Sequence, residues 1–277
     1  MILDPHHELV LLDGADGPDR KRAVVGGGEM IAFTCRSPDK ETDNEDTVAV
    51  LPFGPEAAIL VVADGAGGLP AGKRASRTAV LSLIASMQLA LEHTMLLRNA
   101  ILNGIEAANE AVLALANGSA TTLTVVTVEG RSARAYQIGD SEALIVGQRG
   151  RIKLQTTPHS PTGLAVEAGF LDEREALHHE ERHLVSNLLG TSDMRIDIGA
   201  TLDLQPRDTI ILASDGLTDN LHLDEIVERV RKGPLNEAAD DLIGLAVERM
   251  SRRTDGAPHK PDDLSLILYR KQNLKDP

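Results

Sequence analysis

The sequence predicts an α+β fold in which β-sheets pack against each other and pairs of helices cover them on the outside. Three observations predict it. Stretches with strand character follow one another, stretches with helical periodicity come in pairs, and no linker divides the 277-residue chain. A parallel α/β fold would instead alternate strands and helices along the chain. We therefore expect one domain over residues 29–272, preceded by an irregular N-terminal extension, residues 1–28.

The first half of the chain is predicted to begin with strands and to continue with two helices. Short apolar pieces within residues 1–28 are suited to edge strands. Residues 57–63 form a continuous apolar run, which is typical of a strand buried on both faces. Two further strands are expected at residues 30–35 and 47–53. Apolar residues three or four apart predict long helices at residues 74–93 and 96–116.

The second half of the chain is predicted to contain a strand meander, a polar segment and a final group of strands and helices. The meander strands are expected at residues 121–128, 133–138, 143–146 and 151–155. Residues 156–194 are polar and rich in histidine, and we expect them to be helical in pieces. The remaining strands are expected at residues 209–213 and 264–269, and the remaining helices at residues 224–231 and 235–252.

The charge and composition of the chain argue against nucleic acid and membranes as partners. Asp and Glu outnumber Lys and Arg by 42 to 28, which gives a net charge of −14, and the aromatic residues are three Phe and two Tyr. A nucleic-acid-binding protein needs a basic surface for the phosphates and often aromatic faces for the bases. An anionic membrane surface would repel this chain as well.

The sequence favours a soluble protein of the cytoplasm. Its longest apolar run, residues 57–63, is far shorter than the ~18 residues that span a bilayer. Residues 1–7 lack the basic and apolar regions of a signal peptide. The one cysteine, Cys35, allows neither an internal disulfide nor a cysteine-rich metal site, and it is expected to be a small buried hydrophobic residue. We expect a cytoplasmic monomer.

Aspartates stand at the ends of five predicted strands. Two of them precede a strand and three follow one: Asp46 and Asp262, and Asp64, Asp140 and Asp215. Strand ends hold side chains rigidly. The small residues Gly65, Ser141 and Gly216 come directly after three of these acids, and a glycine there allows a ligand to approach closely.

Convergence of these acids would require cations. Two like charges ~4 Å apart repel by about 4 kcal/mol at an effective dielectric constant near 20, so several pairs would exceed the stability of a domain, about 5–15 kcal/mol. Carboxylate oxygens without His or Cys partners suit Mg²⁺ or Mn²⁺ better than zinc. The alternative is that each aspartate is an ordinary turn residue, because Asp-Gly pairs are common in turns. That alternative weakens when all five aspartates are considered together.

Sequence blocks in a fixed order contain these acids. The blocks are Asn44-Glu45-Asp46; Asp64-Gly65-Ala66-Gly67-Gly68 with Gly72 and Ala75-Ser76; Ala120-Thr121-Thr122-Leu123; Gly139-Asp140-Ser141; His159-Ser160 with His179 and Leu188-Leu189-Gly190; Ser214-Asp215-Gly216-Leu217-Thr218-Asp219; and Pro261-Asp262-Asp263-Leu264-Ser265. Over about residues 30–270 the chain resembles the metal-dependent PPM-type (type 2C) serine/threonine protein phosphatases in their bacterial form. Each block is weak by itself, and their order and spacing carry the resemblance.

The resemblance implies a four-layer αββα sandwich, in which two antiparallel sheets are flanked by helix pairs and residues 156–194 form a flap-like segment. It implies hydrolysis of phosphoserine and phosphothreonine in a phosphorylated protein substrate, with two core Mn²⁺ or Mg²⁺ ions and a weaker third. Two such ions lower the pKa of a shared water, which attacks phosphorus without a covalent enzyme intermediate. They also offset charge on the phosphoryl oxygens.

The resemblance also assigns roles to residues by their position in the motifs. Asp64 would lie between the two core ions, and Asp46 and the carbonyl of Gly65 would serve the first ion, with Glu45 close by. Asp215 and Asp262 would serve the second ion, and Asp140 with Asp215 the third. Asp64 and Asp215 are the expected catalytic residues, through metal-activated water.

Two departures from the family pattern leave a second function open. The family usually has an arginine where Glu41 stands, so Lys40 and Arg36 become the candidates for holding substrate phosphate, although lysine lacks the bidentate fork of arginine. Glu142 stands where an arginine usually follows the Gly-Asp-Ser block. The alternative is therefore a non-catalytic or weakly active phosphatase-like module that binds phosphoprotein, although the complete set of five aspartates argues against it.

Two other motifs are less favoured. Residues 67–73 fit the opening of a phosphate-binding P-loop, but Arg74 stands where the motif needs Ser or Thr, and Pro70 lacks a backbone N–H. Residues 179–183 match the zinc motif H-E-x-x-H. That stretch is crowded with charge and lacks a third ligand, so incidental zinc binding by His179 and His183 is favoured over catalysis.

Overall fold

The computed structural model describes residues 9–13, 17–38, 40–66 and 70–272. The strands are β1 (Val10–Leu12), β2 (Asp19–Val25), β3 (Gly28–Cys35), β4 (Thr47–Pro52), β5 (Ala57–Ala63), β6 (Gly65–Ala66), β7 (Ala120–Thr121), β8 (Leu123–Glu129), β9 (Ser132–Ile138), β10 (Glu142–Val146), β11 (Ile152–Gln155), β12 (Asp197–Ile198), β13 (Leu202–Asp203), β14 (Thr209–Ala213) and β15 (Leu264–Lys271). The helices are α1 (Pro70–Glu92), α2 (Leu97–Leu113), α3 (Pro161–Glu167), α4 (Glu173–Ala176), α5 (Asp215–Thr218), α6 (Leu223–Val230) and α7 (Leu235–Ser251), with a 3-10 helix at Glu180–His183.

The strands form two large antiparallel sheets. Sheet A has the order β1-β4-β5-β8-β9-β12, and β13 also pairs with β9. Sheet B has the order β11-β10-β14-β15-β3-β2. Strands β6 and β7 form a separate two-stranded ribbon. Because neighbouring strands pair antiparallel in both sheets, the fold is not the alternating parallel α/β type.

Strand β5 shows why a continuous apolar run suits the middle of this fold. Its side chains alternate between the two faces of sheet A. Leu60 and Val62 pack toward sheet B, whereas Ile59 and Val61 pack with residues of α1 and α2. Apolar side chains are therefore needed at successive positions of this strand.

The two sheets are covered on their outer faces by helix pairs. Leu83 of α1 and Ile101 of α2 belong to the core on the outer face of sheet A. Ile226 of α6 and Leu242 of α7 pack with Leu266 of sheet B in the core on the opposite side. The predicted four-layer αββα sandwich is confirmed.

Some element boundaries differ from the sequence prediction for local reasons. Helix α1 begins at Pro70 rather than residue 74, because proline is favoured at the first helical position while the apolar stripe starts later. The predicted strand 121–128 is divided at Thr122 into β7 and β8. The division follows from separate partners, since β7 pairs with β6 whereas β8 pairs with β5 and β9.

Among the described residues before Gly28 there are two strands, β1 and β2, and each is an edge strand of one sheet. β1 pairs with β4 of sheet A, and β2 pairs with β3 of sheet B. Most side chains of β2 are exposed, so its sequence carries no apolar pattern to predict it. Gly26 and Gly27, at φ 55° and 72°, turn the chain from β2 into β3. The domain boundary at residue 29 stays a prediction.

The polar segment 156–194 contains short helical pieces, as predicted: α3, α4 and the 3-10 helix. Its role as a flap stays a prediction. Within the part of the chain that the structure describes, no helix combines the length and the apolar sequence that a membrane-spanning helix needs.

Candidate active site

Strand pairing places acids of each sheet at a common edge. In sheet A, Thr47 pairs with Ala63 at the start of β4 and the end of β5. Asp46 and Asp64, which flank this pair in the sequence, therefore lie side by side. In sheet B, β14 and β15 are antiparallel neighbours, so Asp215 after β14 and Asp262 before β15 lie at one edge as well.

The acids of the two sheets meet one another. The hydroxyl of Ser214, at the end of β14, donates to Oδ2 of Asp46 at 2.9 Å. Burial raises the pKa of Asp64 well above its usual range, and the negative charges of four other acids raise it further. Those four are Asp46, Asp215, Asp262 and Asp140. The structure thus brings together all five aspartates that the sequence singled out.

Electrostatic strain is spread over the cluster. Burial, followed by the charge of Asp215, raises the pKa of Asp140 to about 8. The same two causes raise the pKa of Asp262 to about 7. Burial and then the charge of Asp263 raise the pKa of Asp46 well above its usual range. Ionising these carboxyls together is therefore costly unless cations compensate their charge.

Among the residues that the sequence predicts as metal ligands, three buried carboxylate oxygens lack a hydrogen-bond partner in the described chain. They are Oε1 of Glu45, Oδ1 of Asp46 and Oδ1 of Asp215. A buried acceptor without a partner is destabilising. Hard oxygen atoms of this kind are the ligands of Mg²⁺ and Mn²⁺, so the residues present fit such ions. In the described chain, no three Asp, Glu, His or Cys side chains are already arranged to hold an ion.

Close packing explains two glycines of the second block, Gly65 and Gly72. A Cβ on Gly65 would lie 2.2 Å from the carbonyl oxygen of Gly72, and a Cβ on Gly72 would lie 2.4 Å from Oε1 of Glu45. Glu45, Gly65 and the start of α1 are therefore in contact beside Asp64. This places the predicted carbonyl ligand next to the acids.

Three residues of the site were missed by sequence reasoning: Lys260, Asp219 and Asp263. The ammonium of Lys260 lies 2.8 Å from Oδ2 of Asp219 and 3.3 Å from Oδ2 of Asp262, and it also contacts Oδ2 of Asp215. Asp263 accepts the backbone N–H groups of Ser37 and Glu45, at 2.9 and 2.8 Å. The only sequence signal was position, because each is next to or within a motif block.

The two candidates for holding phosphate differ in their surroundings. The ammonium of Lys40 lies 3.0 Å from Oε2 of Glu45 and 2.5 Å from Oδ2 of Asp263. Burial alone would lower the pKa of Lys40, but the hydrogen bond and charge of Asp263, with a smaller effect of Glu45, raise it. Lys40 therefore lies at the site with its charge engaged, whereas Arg36 is exposed.

A cavity of about 670 Å³ opens beside the acids. Asp140, Glu142 and Asp215 line it, together with Thr162 of α3 and Ile226 of α6. Burial raises the pKa of Glu142 to about 7. Glu142 and Asp140 thus face one cavity, as expected if both point to the same side of the chain.

His159 supports the segment that carries Asp140. Its Nδ1 accepts the backbone N–H of Gly139 at 3.1 Å, and its Nε2 lies 3.0 Å from Oδ2 of Asp197. The side-chain amide of Asn187 is 2.8 Å from Nδ1. His159 therefore connects the predicted flap segment, residues 156–194, to Gly139, which directly precedes Asp140.

The less favoured motifs find no support as catalytic sites. His183 ends the exposed 3-10 helix, and Nδ1 of His179 accepts the backbone N–H of Glu181, so the H-E-x-x-H pair is not on a buried helix. Residues 67–69 of the P-loop match lie outside the described residues. Cys35 is buried, and burial raises the pKa of its thiol to about 12, which agrees with a small hydrophobic role.

Comparison with known proteins identifies the family to which this chain belongs. The family model described as Protein phosphatase 2C matches residues 39–243. Protein phosphatase PhpP of Streptococcus pneumoniae serotype 2 is 30% identical over 216 residues, which are 75% of this chain and 87% of that protein. The chain belongs to the protein phosphatase 2C family.

Solved structures agree with membership of the protein phosphatase 2C family. The serine/threonine phosphatase of S. agalactiae has a TM-score of 0.73 and 26% identity, covering 88% of this chain and 100% of that one. The catalytic domain of PstP, solved in complex with two manganese ions, has a TM-score of 0.65 and covers 96% of this chain and 100% of that one. At 23% identity the PstP likeness concerns the fold alone. The predicted family and the prediction of a metal-dependent phosphoprotein phosphatase are confirmed, and the non-catalytic alternative is not favoured.

Proposed function

We propose that this protein phosphatase 2C removes phosphate from phosphoserine and phosphothreonine in proteins, and that its strand-end acids hold the Mn²⁺ or Mg²⁺ ions it needs. The observation that carries the proposal is the convergence of four aspartates from the two sheets on a fifth, Asp64. The unpartnered oxygens of Glu45, Asp46 and Asp215 support it. Cations are the partners that such oxygens lack.

The proposed ligands divide according to the sheet that supplies them. Sheet A supplies Asp46, with Glu45 and the carbonyl of Gly65 beside it, for a first ion. Sheet B supplies Asp215 and Asp262 for a second ion, and Asp64 lies between the two sets. When bound, such ions lower the pKa of a water molecule and neutralise charge on the phosphoryl group.

The proposed third ion belongs to Asp140 and Asp215. Asp140 is buried, and after burial itself the charge of Asp215 is the largest cause of its raised pKa. Fewer protein carboxylates converge there than around Asp64, so more of the ion's ligands would be water. An ion held by few protein ligands binds weakly.

The substrate is proposed to be a phosphorylated protein that lies in the cavity beside Asp140. Residues 156–194, as the flap of a phosphatase domain over residues 29–272, supply Thr162 and other residues of its wall. We propose a cytoplasmic monomer that acts without nucleic acid or membrane, and the net charge of −14 supports the last two points.

The direct test is hydrolysis of para-nitrophenyl phosphate by protein that has first been stripped of metal. We expect turnover on addition of Mn²⁺ or Mg²⁺ and loss of turnover on addition of a chelator. Zinc-only activity, or activity that survives chelation, would contradict the proposed acid site.

The phosphate-binding role of Lys40 or Arg36 has its own signature. Lys40→Ala or Arg36→Ala should raise KM more than it lowers kcat, because a contact made equally in the ground state and the transition state affects KM alone. The measurement is steady-state kinetics on a phosphothreonine peptide. Unchanged KM in both variants would assign the phosphate contact to other groups.

A further inference from the structure

Lys260 lies among three carboxylates of the sheet B side of the site. Its ammonium contacts Asp215, Asp219 and Asp262. Its side chain is only 18% exposed. One positive charge is therefore enclosed by three acids, two of which are the proposed ligands of the second ion.

The position of Lys260 is fixed by its backbone. The N–H of Lys260 donates to Oδ1 of Asn220 at 2.9 Å, and Nδ2 of Asn220 donates to the carbonyl of Lys260 at 2.8 Å. The same Nδ2 donates to the carbonyl of Gly216 in α5 at 2.9 Å. Asn220 is fully buried. Lys260 is thus attached to the helix that begins at Asp215, unlike a lysine that reaches the site from a free surface loop.

The two halves of the acid cluster differ in whether a lysine ammonium contacts the aspartates proposed as ligands. On the sheet A side, the ammonium of Lys40 pairs with Oε2 of Glu45 and Oδ2 of Asp263, but no ion pair within the described residues involves Asp46 or Asp64. On the sheet B side, the lysine contacts Oδ2 of both Asp215 and Asp262, while Oδ1 of Asp215 has no partner in the described chain. A divalent ion that enters between Asp215 and Asp262 meets a positive charge already in contact with both.

We propose that Lys260 is an exchangeable internal cation of this site: it stabilises the metal-free protein, and a divalent ion must displace its ammonium to bind Asp215 and Asp262. The inference rests on the proposed metal-binding function. Like charges repel, so the lysine weakens metal binding on the sheet B side. Ions should therefore bind more tightly beside Asp46 and Asp64 than beside Asp215 and Asp262.

The test replaces the ammonium by an uncharged side chain of similar length, Lys260→Met. Two quantities are measured: the Tm of chelator-treated protein, and the Kd values for Mn²⁺ by isothermal titration calorimetry. We expect the metal-free Tm to fall by about 5 °C and the weaker of the two core Mn²⁺ sites, between Asp215 and Asp262, to become at least tenfold tighter. Lys260→Gln, which keeps a hydrogen-bond donor, gives the same test if the methionine variant does not fold.

Lys153→Met is the matched control. The ammonium of Lys153 lies 2.5 Å from Oδ2 of the buried Asp208, and Lys153 is absent from the acid cluster. This control should lower the Tm and leave the Mn²⁺ affinities unchanged. If the wild type binds Mn²⁺ and Lys260→Met binds it with the same or lower affinity, the exchange role of Lys260 is wrong while the proposed function stands. If the wild type binds no Mn²⁺, both are wrong.

Discussion

At the scale of single residues, Asp64 combines an unfavourable charge environment with a position between the acids of the two sheets. Its pKa is raised by burial and then by four other carboxylates. In that environment the negative charge of Asp64 destabilises the metal-free fold, whereas bound cations would make the same charge favourable. Its substitution therefore has opposite expected effects on stability and on activity.

Asp64→Asn and Asp215→Asn should each reduce kcat on the order of 100-fold or more, because each removes a proposed ligand of a core ion. Asp64→Asn should also raise the Tm of chelator-treated protein, since one of several mutually repelling carboxylates loses its charge. Kinetics on para-nitrophenyl phosphate and thermal melts check the two effects. The control is Asp203→Asn at an exposed ion pair with Arg131. Wild-type kcat in either site variant would show that the site is misplaced.

Asp140 and Glu142 test the third ion. Asp140→Ala should leave the two core ions bound but slow turnover. Glu142→Arg should shift the Mn²⁺ activation curve to higher concentration with little change at saturation, because a cation beside Asp140 repels the incoming ion. Metal-activation kinetics with calorimetric counting of Mn²⁺ measure both. An empty core pair in Asp140→Ala, or an unmoved curve in Glu142→Arg, is incompatible with these roles.

At the scale of elements, α5 is pressed against the segment that leads into β15. A Cβ on Gly216 would lie 1.9 Å from the carbonyl oxygen of Asp263. This contact joins the element that begins at Asp215 to the chain beside Asp262. The helix and the strand must therefore keep their spacing for the two acids to face each other.

Gly216→Ala should lower the free energy of unfolding by about 1–3 kcal/mol, because an inserted methyl group forces backbone apart. Activity should fall with it, since the spacing of Asp215 and Asp262 changes. The control is Gly244→Ala in α7, where an added Cβ meets nothing within 4 Å. That change should stabilise by about 0.5–1 kcal/mol. Denaturant unfolding measures both, and equal stability of the two variants would contradict the packing argument.

The sequence predicted elements best where burial imposes a pattern. The apolar run 57–63 coincides with β5, because every residue of the strand is buried, and this also locates the acid that follows it, Asp64. The exposed β2 has no such pattern. Lys260 was missed because its place depends on a pair of hydrogen bonds to Asn220, 40 residues away in the sequence. Strand-end acids could be predicted locally, whereas their counterion could not.

At the scale of the whole molecule, the sandwich brings together acids that neither sheet could gather alone. Asp46 and Asp64 come from sheet A, and Asp215 and Asp262 come from sheet B. Because their charges are concentrated on folding, the folded protein binds protons that the unfolded chain would release. Stability without metal must therefore depend on pH.

The metal-free protein should lose stability as the pH rises from about 6 to about 8.5. The pKa of Asp140 is raised to about 8 and that of Asp262 to about 7. A carboxyl with a raised folded-state pKa opposes folding above its unfolded pKa, and the penalty is complete only above the folded value. Thermal melts with chelator across this range measure the loss, and saturating Mn²⁺ should reduce it. A Tm that is flat or rises with pH under chelation would contradict the electrostatic account.

The central claim is that Asp64 and the acids of both sheets hold divalent ions. Anomalous X-ray scattering from crystals soaked in Mn²⁺ tests it most directly, because it locates manganese independently of activity. We predict anomalous density in contact with Asp64, Asp46 and Asp215, with the ammonium of Lys260 moved away from Asp215 and Asp262. Manganese bound only elsewhere, or a cluster that stays free of it in Mn²⁺-saturated crystals, would contradict the account.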